Sequence, residues 1–241
     1  MDWLALLAFG DTGWGDELLY GLGITLALSL ATFPIAILLS FLIHWAKVSK
    51  LRAVRIAAHA YTTVFKALPE ILTLLILYYQ SQVVVNWVAG WIVPGSNLSV
   101  SPFLAGLIAL SLVISAYGSE VVRAALNAIG KGQTEAAQSL GLSPFNTFRK
   151  VILPQLWRHA IPGFGNLWVI LLKDTSLVSI IALSDLVHVA TLAINTTREP
   201  FFFYLVIGAI YIVLVVLSTR LQKTLEQRAS KGIARMEVSD A

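Results

Sequence analysis

Six charged residues stand within or beside long apolar runs, and their spacing sorts them into three sets: Lys66 with Glu70, Glu120 with Arg123, and Lys173 with Asp174. A charge at the centre of a bilayer costs roughly 2.5–3.5 kcal/mol. Six of them cannot face lipid and must point into a bundle interior, a water-filled cavity or an interface. Lys66 and Glu70 are four apart and would share a helix face. Pro69 between them loosens that helix and frees a carbonyl. Glu120 and Arg123 are three apart, near the end of an apolar run. Lys173 and Asp174 are neighbours, so they point apart and pair elsewhere; Thr175 and Ser176 follow and can bond across helices. Two roles fit these groups: ion pairs that hold a bundle or a dimer together, or the lining of a path for a polar solute. A cationic solute would favour a net-negative lining. That makes Glu70, Glu120 and Asp174 the carboxylate candidates, with Lys66, Pro69 and Thr175 beside them and Glu120/Arg123 as a structural pair.

These residues need apolar elements to carry them. Of the 241 residues, 57% are hydrophobic and 12% charged, against roughly a quarter charged in ordinary soluble domains. A soluble fold of this size could not hide that surface, so the chain is an integral membrane protein. A span takes about 20 mainly apolar residues. Five segments qualify, over about 18–43, 55–85, 103–129, 161–183 and 201–219, and the second is long enough to tilt or to begin as an interfacial helix. Thirteen of the 17 Lys and Arg residues fall in three places: after the first span (Lys47, Lys50, Arg52, Arg55), between the third and fourth (Lys131, Arg149, Lys150, Arg158), and in the tail (Arg220, Lys223, Arg228, Lys231, Arg235). That bias puts residues 1–17 outside and the tail, 220–241, in the cytoplasm. Trp3, Trp14, Tyr20, Trp87 and Trp91 fall where aromatics of the outer interface belong. The outer loop "VPGSNLSVSP" is an uncharged break. The N-terminus has no basic region ahead of an apolar one, so it is no signal peptide.

Several chemistries are excluded or disfavoured. There is no cysteine. His44, His59, His159 and His188 are scattered without metal spacing, and no metal or other cofactor is expected. No phosphate-binding loop is present, so this chain would not hydrolyse ATP. A net charge of +4 is what cytoplasmic loops of a membrane protein supply, and nucleic acid is not implied.

Between two of the apolar segments lies a polar, helix-forming stretch, "QTEAAQSLGLSPFNTFRKVILPQL", residues 133–156. Glu135 sits in a first turn, where a carboxylate suits the helix dipole. Ala136, Ala137 and Leu140 make a narrow small-residue face. Gly141 is placed to end the helix in the left-handed conformation. Ser143 reads as an N-cap with Pro144 at the first helical position. Phe145, Phe148 and Ile152 form an apolar stripe, and Pro154 ends or bends the second helix. The result is two short helices with a sharp corner, within a loop over 131–158. A helix this short must dock on something, either on its own bundle or in a groove of a partner.

Glu135-Ala136-Ala137, three residues, Gly141, nine residues, then Val151-Ile152-Leu153-Pro154 resembles the EAA loop of bacterial ATP-binding cassette importer permeases. The family form has Ile at Val151. "YTTVFKALPEILTLLILYYQSQ", "SAYGSEVVRAALNAIGKGQTEAA", "GNLWVILLKDTSLVSIIALSDLV" and "EPFFFYLVIGAIYIV" extend the likeness to nearly the whole chain. They are similar to the polar amino acid permeases, especially the histidine, lysine/arginine/ornithine and octopine/nopaline types. Lys66 and Ala67 stand where that family commonly has Arg-Gly, keeping the charge without the planar fork. The resemblance implies an all-α membrane protein with five transmembrane helices, the type I importer (MetI-like) permease fold, in the bacterial inner membrane. It implies that Glu135, Ala136, Ala137, Leu140, Gly141 and Pro154 engage an ATPase. The implied partners are two ATP-binding cassette ATPase subunits that bind ATP and Mg, a second homologous permease, a periplasmic solute-binding protein and membrane lipid, with a polar or basic amino acid or opine as solute. An ion channel or secondary carrier subunit is the competing reading; it leaves the helix pair without a task, and no internal repeat of the carrier kind is present. A membrane enzyme would need a nucleophile and base that the chain does not bring together.

Overall fold

The computed structural model describes residues 3–10, 13–92 and 98–229. Asp2, Asp11, the start of the outer loop (93–97) and the tail past 229, with Lys231 and Arg235, lie outside the described residues. Those described are all helical apart from turns and short connections.

A 3-10 turn, Trp3–Leu7, precedes α1, Gly15–Lys47. At 33 residues α1 is roughly 50 Å long, against a hydrocarbon core of about 30 Å. Its buried face is a row of small and polar residues: Gly21, Thr25, Ser29, Thr32, Ala36, Ser40, His44 and Lys47. The Thr25, Ser29 and Ser40 hydroxyls each donate to the carbonyl four residues back, so the row satisfies much of its own polarity and can lie against another helix. That helix is α4, Pro102–Asn127, which meets it with Ala105, Gly106, Ala109, Ala116, Gly118 and Ser119. Small residues on both sides let the backbones approach, the usual device where lipid offers no hydrophobic drive to associate. Gly118 sets the spacing: a Cβ there would overlap the Ser40 hydroxyl and lie 3.0 Å from Ser40 Cβ.

The stretch expected as one span over about 55–85 is two helices. Leu68 is extended (φ −82°, ψ 140°), as the residue before a proline prefers to be. The chain therefore breaks between α2, Arg52–Ala67, and α3, Glu70–Ile92. α2 is amphipathic and mostly exposed, burying only Ala58 and Thr62. Tyr61 holds it to α4, its hydroxyl 2.8 Å from the Leu112 carbonyl and 2.9 Å from Ser115 Oγ. At the far end of α3, the Gln82 and Asn86 amides bind the backbone of Leu98 and Val100 and steer the chain into α4.

α7, Leu153–Asp174, continues as a 3-10 segment, Thr175–Ile181. Ala182 then turns in the left-handed region (φ 59°). α8, Leu186–Thr197, is too short to span, and α9, Pro200–Ala229, crosses last. Asp185 caps α8, accepting from His188 N at 3.0 Å and Val187 N at 3.4 Å. Its own backbone carbonyl lies against Gly21, where a Cβ would come within 2.9 Å. Burial pushes the Asp185 carboxyl up to about 6, against the opposing pull of the two capping N–H groups. One core joins α1, α4, α7 and the 3-10 segment; a second, around Leu18, Leu186, Val189, Ala193, Phe203 and Ile207, joins α1, α8 and α9. Aromatic residues collect at that second end, with Trp3 against Phe202, while Lys and Arg collect at the other.

Candidate functional site

Glu120 is the centre of a cluster of cations. Its Oε1 takes Lys47 Nζ at 2.9 Å and Lys66 Nζ at 3.1 Å, and its Oε2 takes Arg123 Nε at 2.7 Å. Lys47 also donates to Ser119 Oγ at 3.0 Å. Three helices meet on one carboxylate: α1 through its last residue, α2 near its end, and α4. The Glu120–Arg123 pair lies where the spacing placed it. The expected Lys66–Glu70 pair does not form, because the break at Leu68 rotates Glu70 onto a new helix and Lys66 turns to Glu120. Lys47, a loop residue by sequence, is buried, with a side chain 7% exposed. Its signal was present as the end of the small-residue row on α1, at spacings of three and four. Arg123 is largely exposed and lies at the rim of the cluster.

Glu70 and Asp174 are left apart from that cluster. α3 packs on the 3-10 segment that follows Asp174. Both carboxylates are half-buried, and neither has an ion-pair partner among the described residues. Lys173, beside Asp174, is exposed. Thr175 is fully buried and donates to the Leu172 carbonyl at 2.7 Å, so its hydroxyl serves its own helix. Pro69 stands exposed in the break between α2 and α3.

At the basic end, α5, Lys131–Ser139, closes with Gly141 in the left-handed region (φ 79°). Leu142 N donates to the Ala137 carbonyl at 3.1 Å and Gly141 N to the Gln138 carbonyl at 2.9 Å, the paired bonds of a Schellman cap. Ser143 caps the next turn, accepting from Asn146 N, with Pro144 first in α6, Pro144–Thr147. The sequence suggested a second short helix ended or bent at Pro154. Instead α6 passes through a π-helical turn, Phe148–Ile152, straight into α7. The wider turn shifts the hydrogen-bond register just ahead of Pro154, so that the helix continues through the proline instead of ending there. The corner is therefore one short helix folded back on the end of a long one.

The corner also divides the face drawn through Ala136, Ala137 and Leu140. Ala137 is buried on the side of α5 that packs on α6 and the π turn, whereas Glu135 and Ala136 are exposed. Leu140 is 82% and Phe145 69% exposed on either side of Gly141. Phe148, expected in one stripe with Phe145, is half-buried against Trp45, ring centroids 6.4 Å apart. Two large apolar side chains thus stand out from a polar loop.

These features define a class: a five-span helical membrane protein with a charge cluster joining its helices and an exposed apolar pair at its basic end. The chain belongs to the family of binding-protein-dependent transport system inner membrane components, which matches residues 36–231. It is 36% identical over 235 residues to the octopine transport system permease protein OccQ of Rhizobium meliloti, covering 98% of this chain and 99% of that one. It is 38% identical over 221 residues to the arginine ABC transporter permease protein ArtQ of Escherichia coli K12, covering 87% and 93%. A solved amino acid ABC transporter with histidines superposes with a TM-score of 0.76 at 30% identity, covering 89% of this chain and 95% of that one. The chain is a permease subunit, an inner-membrane component with the fold of the amino acid importers.

Proposed function

We propose that this permease moves a basic amino acid or an opine inward, and that Leu140 and Phe145, with Glu135, Ala136, Gly141 and the buried Ala137 behind them, form the knob gripped by an ATPase. The exposure of Leu140 and Phe145 carries the reading. An apolar pair on the polar, solvent-facing side of a membrane protein marks a surface that another protein covers. The rigid route from Gly141 through the π turn into α7 would pass motion of the knob to Asp174. Glu70 and Asp174, two carboxylates without an ion-pair partner among the described residues, favour a cationic solute; Pro69 and Thr175 shape the backbone around them. Glu120, held by three cations, and Lys66 and Arg123 then serve as bundle structure rather than as lining.

In this reading residues 1–17 face the periplasm, 131–158 is the cytoplasmic coupling loop within a membrane domain of 18–219, and 220–241 lies in the cytoplasm. Two ATPase subunits supply ATP and Mg binding, a second homologous permease completes the path, and a periplasmic binding protein delivers the solute. The test is co-purification and ATPase stimulation by loaded binding protein. Leu140→Asp and Gly141→Asp should leave the permease inserted but lower recovery of the ATPase at least tenfold and abolish uptake of labelled arginine or octopine. Wild-type uptake by both variants would refute the coupling role.

A further inference from the structure

An apolar groove with a volume of about 350 Å³ runs between α1, α7 and α9. Leu30, Phe33 and Ile37 form one wall, Trp157, Phe164 and Trp168 the second, and Leu221 and Leu225 the third. Its polar groups are satisfied within the walls: Trp168 Nε1 donates to Ser218 Oγ at 3.0 Å, and Gln222 Nε2 donates to the Glu226 carboxylate at 2.8 Å and to the Pro162 carbonyl at 3.4 Å. The rest of the lining is apolar. From Trp157 to Trp168 the groove follows α7 for about 16 Å at 1.5 Å per residue, which is half the thickness of a hydrocarbon core of roughly 30 Å. The basic end of the bundle closes it. Leu221, Leu225 and Arg228 follow at i, i+4 and i+7, so Arg228 continues the α9 row one turn past the groove. Arg158, next to Trp157, donates from Nε to the Ala229 carbonyl at 2.8 Å, which brings a second guanidinium to the end of α9, at the backbone one residue past Arg228. Trp157 stands at the same level, where an indole suits the membrane interface.

We propose that this groove seats one acyl chain of an anionic phospholipid of the leaflet at the basic end, with the phosphate met by Arg228 and Arg158. The length of the groove matches one leaflet, its lining takes hydrocarbon, and the two guanidiniums complement a phosphate at its mouth. A bound lipid there fills the cleft between α7, which leads from the corner, and the helices α1 and α9.

The full chain with its partner subunits, reconstituted in phosphatidylethanolamine vesicles, is photolabelled with phosphatidylglycerol or phosphatidylcholine carrying a diazirine midway along one chain. Label from phosphatidylglycerol should concentrate on Phe33, Trp157, Trp168 and Leu221. Arg228→Glu should lower phosphatidylglycerol labelling by ~5-fold or more, the factor for loss of a basic residue at an anionic surface, and leave phosphatidylcholine labelling unchanged. Leu30→Trp, which fills the groove from an exposed position, should lower both. Equal labelling of the exposed α3 residues Tyr79 and Val83, or phosphatidylglycerol labelling insensitive to Arg228→Glu, overturns the assignment. A disulfide cross-link between permease subunits through cysteines placed at Leu30 or Leu221 also overturns it, since protein would then cover the groove.

Discussion

Removing the carboxylate at Glu120 should destabilise the permease far more than removing any one of its cations. Glu120→Gln leaves Lys47 Nζ with a neutral partner and the Ser119 hydroxyl, in a site where its side chain is 7% exposed. Breaking a fully buried pair this way costs about 3–5 kcal/mol. Glu120 is 32% exposed, and solvent screens part of the loss, so on the order of 2–3 kcal/mol is expected. The contacts to Lys66 and Arg123, at 34% and 60% exposure, add less than about 1 kcal/mol each. At ~2–4 °C per kcal/mol for a chain of this size, Glu120→Gln should lower the apparent melting temperature in detergent by roughly 4–12 °C. Lys66→Met should lower it by less than about 4 °C. Lys47→Met removes a costly buried charge and leaves Glu120 two cations, so its effect should also be small. The double variant Lys47→Met/Glu120→Gln should regain at least half of the loss. The reasoning fails if Glu120→Gln melts within about 2 °C of wild type, if Lys66→Met costs as much, or if the double variant is worse than Glu120→Gln.

The spacing of α1 and α4 gives a second expectation. Gly118→Ala brings a Cβ onto Ser40 and 3.3 Å from Phe164 Cε1, and should cost about 1–3 kcal/mol by overpacking; Ser40→Gly in the same chain should recover most of it, read by the same melt. Asp185 gives a pH dependence. Its folded pKa of about 6 lies above the ordinary 3.8, so the folded state holds this proton more tightly than the unfolded chain does. The stability from this group is fully present below pH 3.8 and is lost as pH rises through 6, a change on the order of 3 kcal/mol. Asp185→Asn keeps an N-cap acceptor and should flatten that part of a melting profile taken from pH 4 to pH 7.5; an unchanged slope would count against it.

Local pattern in the chain determined a good deal. The charge-poor runs specify membrane helices because each must satisfy its backbone alone in lipid, and the clustering of Lys and Arg distinguishes one end of the bundle from the other. Gly141, Ser143 and Pro144 specify a corner because each acts through its own backbone geometry, within four residues. Pro69 marked a loosening, but only the folded chain turned it into a full break between α2 and α3. What local pattern could not decide is which distant charge answers which. Lys66 sits four residues from Glu70 yet pairs with Glu120, 54 residues away, and Lys47 reaches the same carboxylate across 73. Those partners are set by how α1 and α2 lie on α4, where small residues at Ser40, Gly118 and Ser119 let the backbones close. Ion pairing is non-local: a charge spends its energy on whichever opposite charge packing brings within about 3 Å, and periodicity in sequence ranks only the neighbours on its own helix. The exposure of Leu140 and Phe145 is decided the same way: the fold buries Ala137 within the corner and sets Phe148 against Trp45, and leaves the two side chains beside them in the open.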